Sequence, residues 1–252
     1  GAGKMKTAYF RFYAELNDFF PKQEGGQLHA HQFKGKQSVK DRIESMGVPH
    51  TEVYFLLANG KPIDFSYHLQ AGDRISVYPV FQSLPLPAGT AVRRPYQGAA
   101  KFVLDNHLGK LARYLRMLGF DTWYRNDYQD PELAEISAQT GRILLTRDHG
   151  LLKRSKVTYG YFIRQEEPRQ QLFAVLNRYN LVTKIESFGR CIECNGRLES
   201  IAKEKIIDRL EPKTKKYYNE FYICAECDKI YWPGSHYQAM KQFIIKIKRD
   251  YR

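Results

Sequence analysis

The sequence predicts a chain of mixed class: an α+β segment, then an α/β segment with a parallel sheet, then a cysteine-stapled C-terminal region. Three observations carry this. The first eighty or so residues hold several strand patterns around one short helix pattern. From 101 to about 180, short apolar runs alternate with amphipathic helices, the signature of right-handed βαβ crossovers and three layers. All four cysteines fall in two Cys-x-x-Cys pairs. At 252 residues the chain is long enough for two domains, each with its own core.

Residues 6–16 alternate, with Ala8, Phe10, Phe12 and Ala14 on one face, so they read as a half-buried strand. A Gly25-Gly26 turn and a second extended run, 28–34, complete a hairpin. Ser38, with Asp41 three residues on, predicts a capped helix through Met46 that Gly47 ends. Residues 52–58 read as a strand, Asn59-Gly60 as a tight turn, and 74–80 as a last strand. This order over 5–81 resembles the β-grasp, or ubiquitin-like, fold and is similar to its sulfur-carrier branch. Carrier chemistry needs a free Gly-Gly terminus, whereas Val80-Phe81 runs on into Gln82-Ser-Leu-Pro85. That leaves a module for docking a protein partner. Residues 1–4 read as an added leader before a natural start at Met5. Residues 82–100, with Pro85, Pro87, Pro95, Gly89 and Gly98, read as a linker.

Lys101-Phe-Val-Leu is a short buried strand running into Asp105. Leu108, Leu111, Ala112, Leu115 and Leu118 then follow one helix face, Gly119 closes the helix, and Lys110, Arg113 and Arg116 occupy its charged side. Residues 120–125 are a second strand. Asp130-Pro131-Glu132 opens a helix to about Thr140, with Asp130 as N-cap and Pro131 at the first helical position. The third strand, 142–146, delivers Asp148. Residues 158–164 are a fourth strand, and 168–180 a helix with Leu172, Val175, Leu176 and Tyr179 inward. The α/β segment is expected to span 101–188. It contains neither a G-x-G-x-x-G after the first strand nor a P-loop, which argues against a nucleotide-cofactor enzyme.

Carboxylates at the carboxyl ends of parallel strands sit where open α/β sheets place ligands. If the strands lie side by side, Asp105 and Asp148 converge, with Asp127, Asp130 and Glu132 supplied between them. Clustered carboxylates repel unless cations neutralise them, and Mg²⁺ or Mn²⁺ answers that problem while activating water for phosphodiester hydrolysis. The plainer alternative is that each aspartate only makes a turn or caps a helix.

Forty Lys and Arg against 27 Asp and Glu give a net charge of +13, which favours a polyanion, nucleic acid before a membrane surface. Lys110, Arg113 and Arg147 are candidate backbone contacts. No run of 18 apolar residues and no secretory signal occurs, so a cytoplasmic protein without a membrane span is expected.

Cys191, Cys194, Cys224 and Cys227 give four thiolates for a closed, structural Zn²⁺ site, with Gly196 allowing a tight knuckle. The 29 residues between the pairs (195–223) require a hairpin or insertion. Redox pairs or local disulfides are the alternatives. Lys213, Lys215, Lys216, Tyr217, Tyr218, Phe221 and Tyr222 interleave basic and aromatic side chains, suited to RNA or to a strand with one buried face. His236 is a candidate contact to phosphate or to a catalytic metal, or else a packed or capping residue. From Tyr237 a helix is expected with Met240, Phe243, Ile244 and Ile247 inward and a basic exterior. The zinc ribbon and this helix are assigned to 189–252.

Two runs carry a family resemblance: Asp105-Asn-His-Leu-Gly-Lys-Leu-Ala-Arg-Tyr-Leu-Arg-Met-Leu-Gly-Phe-Asp121 and Arg142-Ile-Leu-Leu-Thr-Arg-Asp148. They resemble the PIN-like ribonuclease domain named after the C-terminal region of the Mut-seven exonucleases. The resemblance extends from about 101 through the cysteines and Tyr231-Trp-Pro-Gly-Ser-His236, and the N-terminal segment is similar to the ubiquitin-like module fused to this domain in many bacterial members. It implies a PIN-like fold, a divalent metal and RNA cleavage. Asp105 and Asp148 match the strand-end acids and Asp130 the acid before the middle helix, with Asp127 and Glu132 beside it. Two competing readings are a non-catalytic RNA-binding adaptor and a protein-interaction module of a sulfur-transfer or modification pathway.

Overall fold

In the computed structural model, alternate burial along β1 (Lys6–Phe12) follows the sequence pattern, with Ala8, Phe10 and Phe12 in the core. The structure describes residues 3–81, 86–93 and 95–250; residues 1 and 2 of the expected leader and 82–85 and 94 of the expected linker lie outside them. The following elements are β2 (Leu28–Phe33), α1 (Val39–Ser45), β3 (Phe55–Ala58), β4 (Lys61–Ile63) and β5 (Arg74–Tyr78). They form a sheet of order β2-β1-β5-β3-β4. β1 runs antiparallel to β2, with Phe10 opposite His29, and parallel to β5, with Phe10 opposite Ile75. This is the ubiquitin-like arrangement. The Ser38 hydroxyl accepts from the Asp41 amide at 3.1 Å, and Gly47, at φ 108°, ends the helix as expected.

Three boundaries differ from the sequence reading. β1 stops at Phe12 because Ala14, at φ 51°, opens a 3₁₀ helix (Ala14–Phe19) that buries Leu16. β3 begins at Phe55, since His50–Glu52 form another 3₁₀ turn. The Asn59-Gly60 turn leads into β4, a strand the sequence reading omitted; it is three residues long and contains Pro62, which favours an edge position.

The chain continues through β6 (Lys101–Leu104), α2 (Gly109–Met117), β7 (Asp121–Trp123), α3 (Asp130–Thr140), β8 (Ile143–Thr146), α4 (His149–Leu152), β9 (Gly160–Phe162) and α5 (Pro168–Arg178). β7 lies parallel to β6 (Phe102 opposite Thr122) and β9 parallel to β8 (Leu145 opposite Tyr161). Residues 102–104 and every residue of β8 are buried, as expected of parallel strands covered on both faces. Leu111, Ala112, Leu115 and Leu118 are buried together, and Gly119 closes α2 at φ 91°. A Cβ there would lie 2.8 Å from the Glu186 carbonyl oxygen, so only glycine fits. Arg116, expected on the solvated face of α2, is instead buried. The last part comprises β10 (Leu198–Ile201), α6 (Pro212–Tyr217), β11 (Phe221–Cys224), β12 (Ile230–Tyr231) and α7 (Ser235–Asp250), with an antiparallel sheet of order β10-β11-β12. The lysine- and tyrosine-rich run is therefore helical up to Tyr217 and a strand only from Phe221.

The chain divides into two compact units, Gly1–Gly98 with Ala134–Phe162 and Ala99–Leu133 with Ile163–Arg252. Within the first, the ubiquitin-like sheet is clasped to β9. The Phe162 amide donates to Glu52 Oε1 at 2.6 Å, on the edge of β9 that does not pair with β8. His50 Nε2 donates to the Val157 carbonyl at 2.6 Å while its Nδ1 lies 3.0 Å from Glu44 Oε2. Part of the expected linker joins this contact: the Val92 amide bonds the Tyr54 carbonyl and Arg93 bonds the Thr158 carbonyl. His50→Ala removes partners from one buried carbonyl and one carboxylate. It should lower unfolding stability by about 1–3 kcal/mol in urea titrations, and a change below a few tenths would mean the clasp is not stabilising.

Candidate active site and metal centre

Asp105 follows β6 directly and is only 8% exposed. Its Oδ1 accepts from the Asn106 amide at 2.6 Å and its carbonyl from the Leu108 amide at 3.0 Å, which turns the chain into α2. Tyr124 braces this turn, donating its hydroxyl to the Asn106 carbonyl at 2.8 Å. A Cβ on residue 109 would meet the same hydroxyl at 2.8 Å, hence Gly109. Lys110 and Arg113 stand exposed on the first turns of α2.

Asp148 stands two residues past the end of β8 and is exposed. Its Oδ1 caps α4, accepting from the Gly150 and Leu151 amides at 2.7 and 3.3 Å, and its own amide donates to Thr146 Oγ1 at 3.0 Å. Oδ2 takes no hydrogen bond among the described residues. Capping is thus real for both strand-end aspartates, and in Asp148 it engages one of the two carboxylate oxygens. Next to it, the His149 ring sits against Phe19 and Phe162, with centroids 5.0 and 4.1 Å away. Arg147 is exposed.

Asp130 is not the N-cap that the sequence suggested. The Gln129 carbonyl accepts the Leu133 amide at 2.9 Å, so Gln129 caps α3 and Asp130 holds the first helical position. Pro131 simply sits one place further in. Asp127 and Glu132 meet on one guanidinium: Arg125 makes two bonds of 2.9 Å to Asp127 and reaches Glu132 at 3.4 Å. The Arg125 hydrogen bonds hold the Asp127 carboxyl below its ordinary range. All three side chains are largely exposed, so this network adds little stability.

The sulfur atoms of Cys191, Cys194, Cys224 and Cys227 all lie within 4.8 Å of one another. Cys191 and Cys227 are 3.6 Å apart and Cys194 and Cys224 3.5 Å. A tetrahedron with Zn–S bonds of about 2.3 Å has edges of about 3.8 Å, so the four thiolates fit zinc. Gly196 is required here, because a Cβ would lie 2.8 Å from Cys224 Sγ and 2.5 Å from Glu226 Cγ. Burial raises the Cys191 thiol, but hydrogen bonds from the Tyr231 hydroxyl and the Cys194 and Glu193 amides overcome this and bring it to about 7. The Tyr231 oxygen is 2.9 Å from that sulfur. Burial pushes Cys194 up to about 12, and hydrogen bonding with the other three cysteines adds to the rise.

Two residues that sequence reasoning missed tie this knuckle to α2 and β7. Arg116 donates from Nε to the Thr122 carbonyl at 2.9 Å and from one terminal nitrogen to the Ile192 and Glu193 carbonyls at 3.0 and 3.2 Å. Asn195, at φ 69°, accepts from the Thr122 amide at 2.9 Å and donates to Asp121 at 2.8 Å. The available signals were an arginine immediately after a core leucine and an asparagine after Cys-x-x-Cys, a residue that tolerates the left-handed conformation. Elsewhere in this unit Lys216 and His236 are exposed, and Lys215 is half-buried.

Metal analysis of the purified chain should find about one zinc per chain, lost together with thermal stability in Cys224→Ser. A zinc-free chain that melts unchanged would refute the site. Arg116→Met should cost about 3 kcal/mol, since three carbonyls lose their donor; equilibrium unfolding at constant zinc saturation measures it.

The family described as the Mut7-C RNAse domain matches residues 100–244, and the one described as Mut7-C ubiquitin matches residues 5–85. The chain is 38% identical over 103 residues to the human protein called exonuclease mut-7 homolog, a stretch that covers 38% of this chain and 12% of that protein. The shared segment is thus a small part of that relative's length. No solved structure matches. With the first family covering more than half of the chain, its strand-end aspartates and cysteine quartet lie inside the match, and the chain belongs to the Mut7-C RNAse domain family.

Proposed function

We propose that this protein is a divalent-metal-dependent ribonuclease whose carboxylates Asp105, Asp130 and Asp148 carry the hydrolysis, assisted by Asp127 or Glu132. The observation that supports this most is Asp105. It is a nearly buried carboxylate at the carboxyl end of a parallel strand, the place where open α/β sheets put their ligands. Oxygen donors of this type suit Mg²⁺ or Mn²⁺, which when bound would polarise the scissile phosphate and lower the pKa of a water. Asp105, Asp130 and Asp148 would hold such an ion through carboxylate oxygens, and Asp148 Oδ2 would accept a hydrogen bond from the water. Lys110, Arg113 and Arg147 neutralise backbone phosphates and hold the strand in register, while Lys215, Lys216 and His236 extend the contact. Hydrolysis leaves 5′-phosphate and 3′-hydroxyl ends. The structural zinc takes no part, because four thiolates leave no open coordination position.

A second reading, an RNA-binding adaptor without turnover, is favoured by the helix-capping role of Asp148. In either case the ubiquitin-like module offers its remaining surface to a protein partner. No helix of the described residues is long and apolar enough to cross a membrane, and the working compartment we infer is the cytoplasm.

Cleavage of end-labelled total RNA by the parent chain, Asp105→Asn and Asp148→Asn, each with Mg²⁺, Mn²⁺ or neither, tests the assignment. We expect metal-dependent cleavage reduced by about 100-fold or more in both variants. Cleavage that survives both substitutions, or RNA binding without cleavage by the parent in either metal, would reject it.

A further inference from the structure

Two cavities in the unit formed by Ala99–Leu133 and Ile163–Arg252 adjoin each other across a shared wall of Met117, Ile192 and His236. The first, of about 390 Å³, is faced by Phe188, Tyr218, Tyr231, Trp232 and Tyr237. The second, of about 420 Å³, is faced by Lys110, Arg113 and Arg169. Both volumes lie in the range of small-ligand sites. Glu193, which pairs with Arg113 at 3.4 Å and Lys229 at 3.1 Å, lines neither cavity, and no carboxylate does among the described residues.

The aromatic wall is held in place before any ligand arrives. Phe188 stacks on Tyr222 with centroids 4.7 Å apart and planes at 12°, and Tyr237 packs on it at 4.3 Å. Tyr231 is fixed by its hydroxyl against Cys191 Sγ, so the wall is tied to the zinc knuckle. Trp232 packs against the buried Phe221 ring, with centroids 6.3 Å apart.

We propose that these cavities together hold one nucleotide of single-stranded RNA, its base in the aromatic cavity and its phosphate in the basic one. The charge of the second cavity is complementary to a phosphate, and an apolar, aromatic cavity beside it suits a π-face. A base can enter only after leaving its stack, so the cleft selects single strands over duplex. The bound nucleotide anchors the strand and sets the register in which the rest of it runs across the domain. The nature of the substrate rests on the ribonuclease reading above, but the binding does not depend on hydrolysis.

The test is anisotropy of a fluorescent 12-nucleotide RNA with the full chain carrying Asp148→Asn, alone and with Trp232→Ala, Trp232→Phe or Arg169→Ala. Trp232→Ala and Arg169→Ala should each weaken single-strand binding about tenfold, Trp232→Phe much less, with duplex RNA binding nearly unchanged. Unchanged single-strand affinity in Trp232→Ala and Arg169→Ala, or equal losses on duplex, would overturn the proposal. Should Trp232→Ala lose its fold or zinc, a Trp123→Phe chain leaves Trp232 as the sole tryptophan. Titration with uridine or adenosine monophosphate should then quench its emission saturably, and Lys110→Ala should shift the midpoint upward; no quenching refutes the base site. Loss of binding in the cleft variants with no cleavage by the parent would sink the nuclease reading while upholding this one.

Discussion

The buried guanidinium of Arg116 is the contact on which the nuclease-like body and the cysteine knuckle both depend. A charge taken out of water must be repaid by hydrogen bonds of good geometry. Here three backbone carbonyls from two separate segments, residue 122 and residues 192–193, supply them. Burial lowers the Arg116 pKa, while the nearby thiolates of Cys191 and Cys194 oppose that shift. The two cysteines therefore help keep the buried guanidinium charged. Asn195 adds the matching pair of bonds to β7, so the knuckle is seated by side chains that read backbone, independent of which apolar residues surround them.

That seat has consequences for the basic face of the second unit. Arg116 lies on the same helix as Lys110 and Arg113, and fixing its head group fixes the rotation of α2 about its axis. The helix then presents Lys110 and Arg113 outward while Leu111, Ala112 and Leu115 remain buried. Tyr231 carries the same logic to the other side, bonded to Cys191 and lining the aromatic cavity. The cysteine knuckle is thus linked both to the helix that lines one cavity and to the strand that lines the other.

The first unit uses a different device. Its clasp is built on a short 3₁₀ turn, where His50 and Glu52 aim one ring nitrogen and one carboxylate at the backbone of residues 157–162. Glu52 satisfies an edge amide of β9 that would otherwise face solvent or another strand. The ubiquitin-like module is therefore part of the architecture around β8 and β9, and Phe19 reaches the histidine that follows Asp148.

By itself the sequence determined the fold classes, the ubiquitin-like order, the α2 face, the cap at Ser38 and the cysteine quartet, because each is a local or periodic signal. Alternation in 6–12 needs only the two-residue period, and Cys-x-x-Cys needs only its spacing. Its short-range errors were also local: Ala14 in a left-handed conformation, the brief β4 strand, and a helix start displaced by one residue from Asp130. What only the tertiary structure decided were pairings between distant residues: Arg116 with 192 and 193, His50 with 157, and the meeting of an aromatic wall with a basic one at His236. No periodicity encodes such contacts, since hydrogen bonds from side chain to backbone depend on where the chain returns in space and not on what stands beside it in sequence.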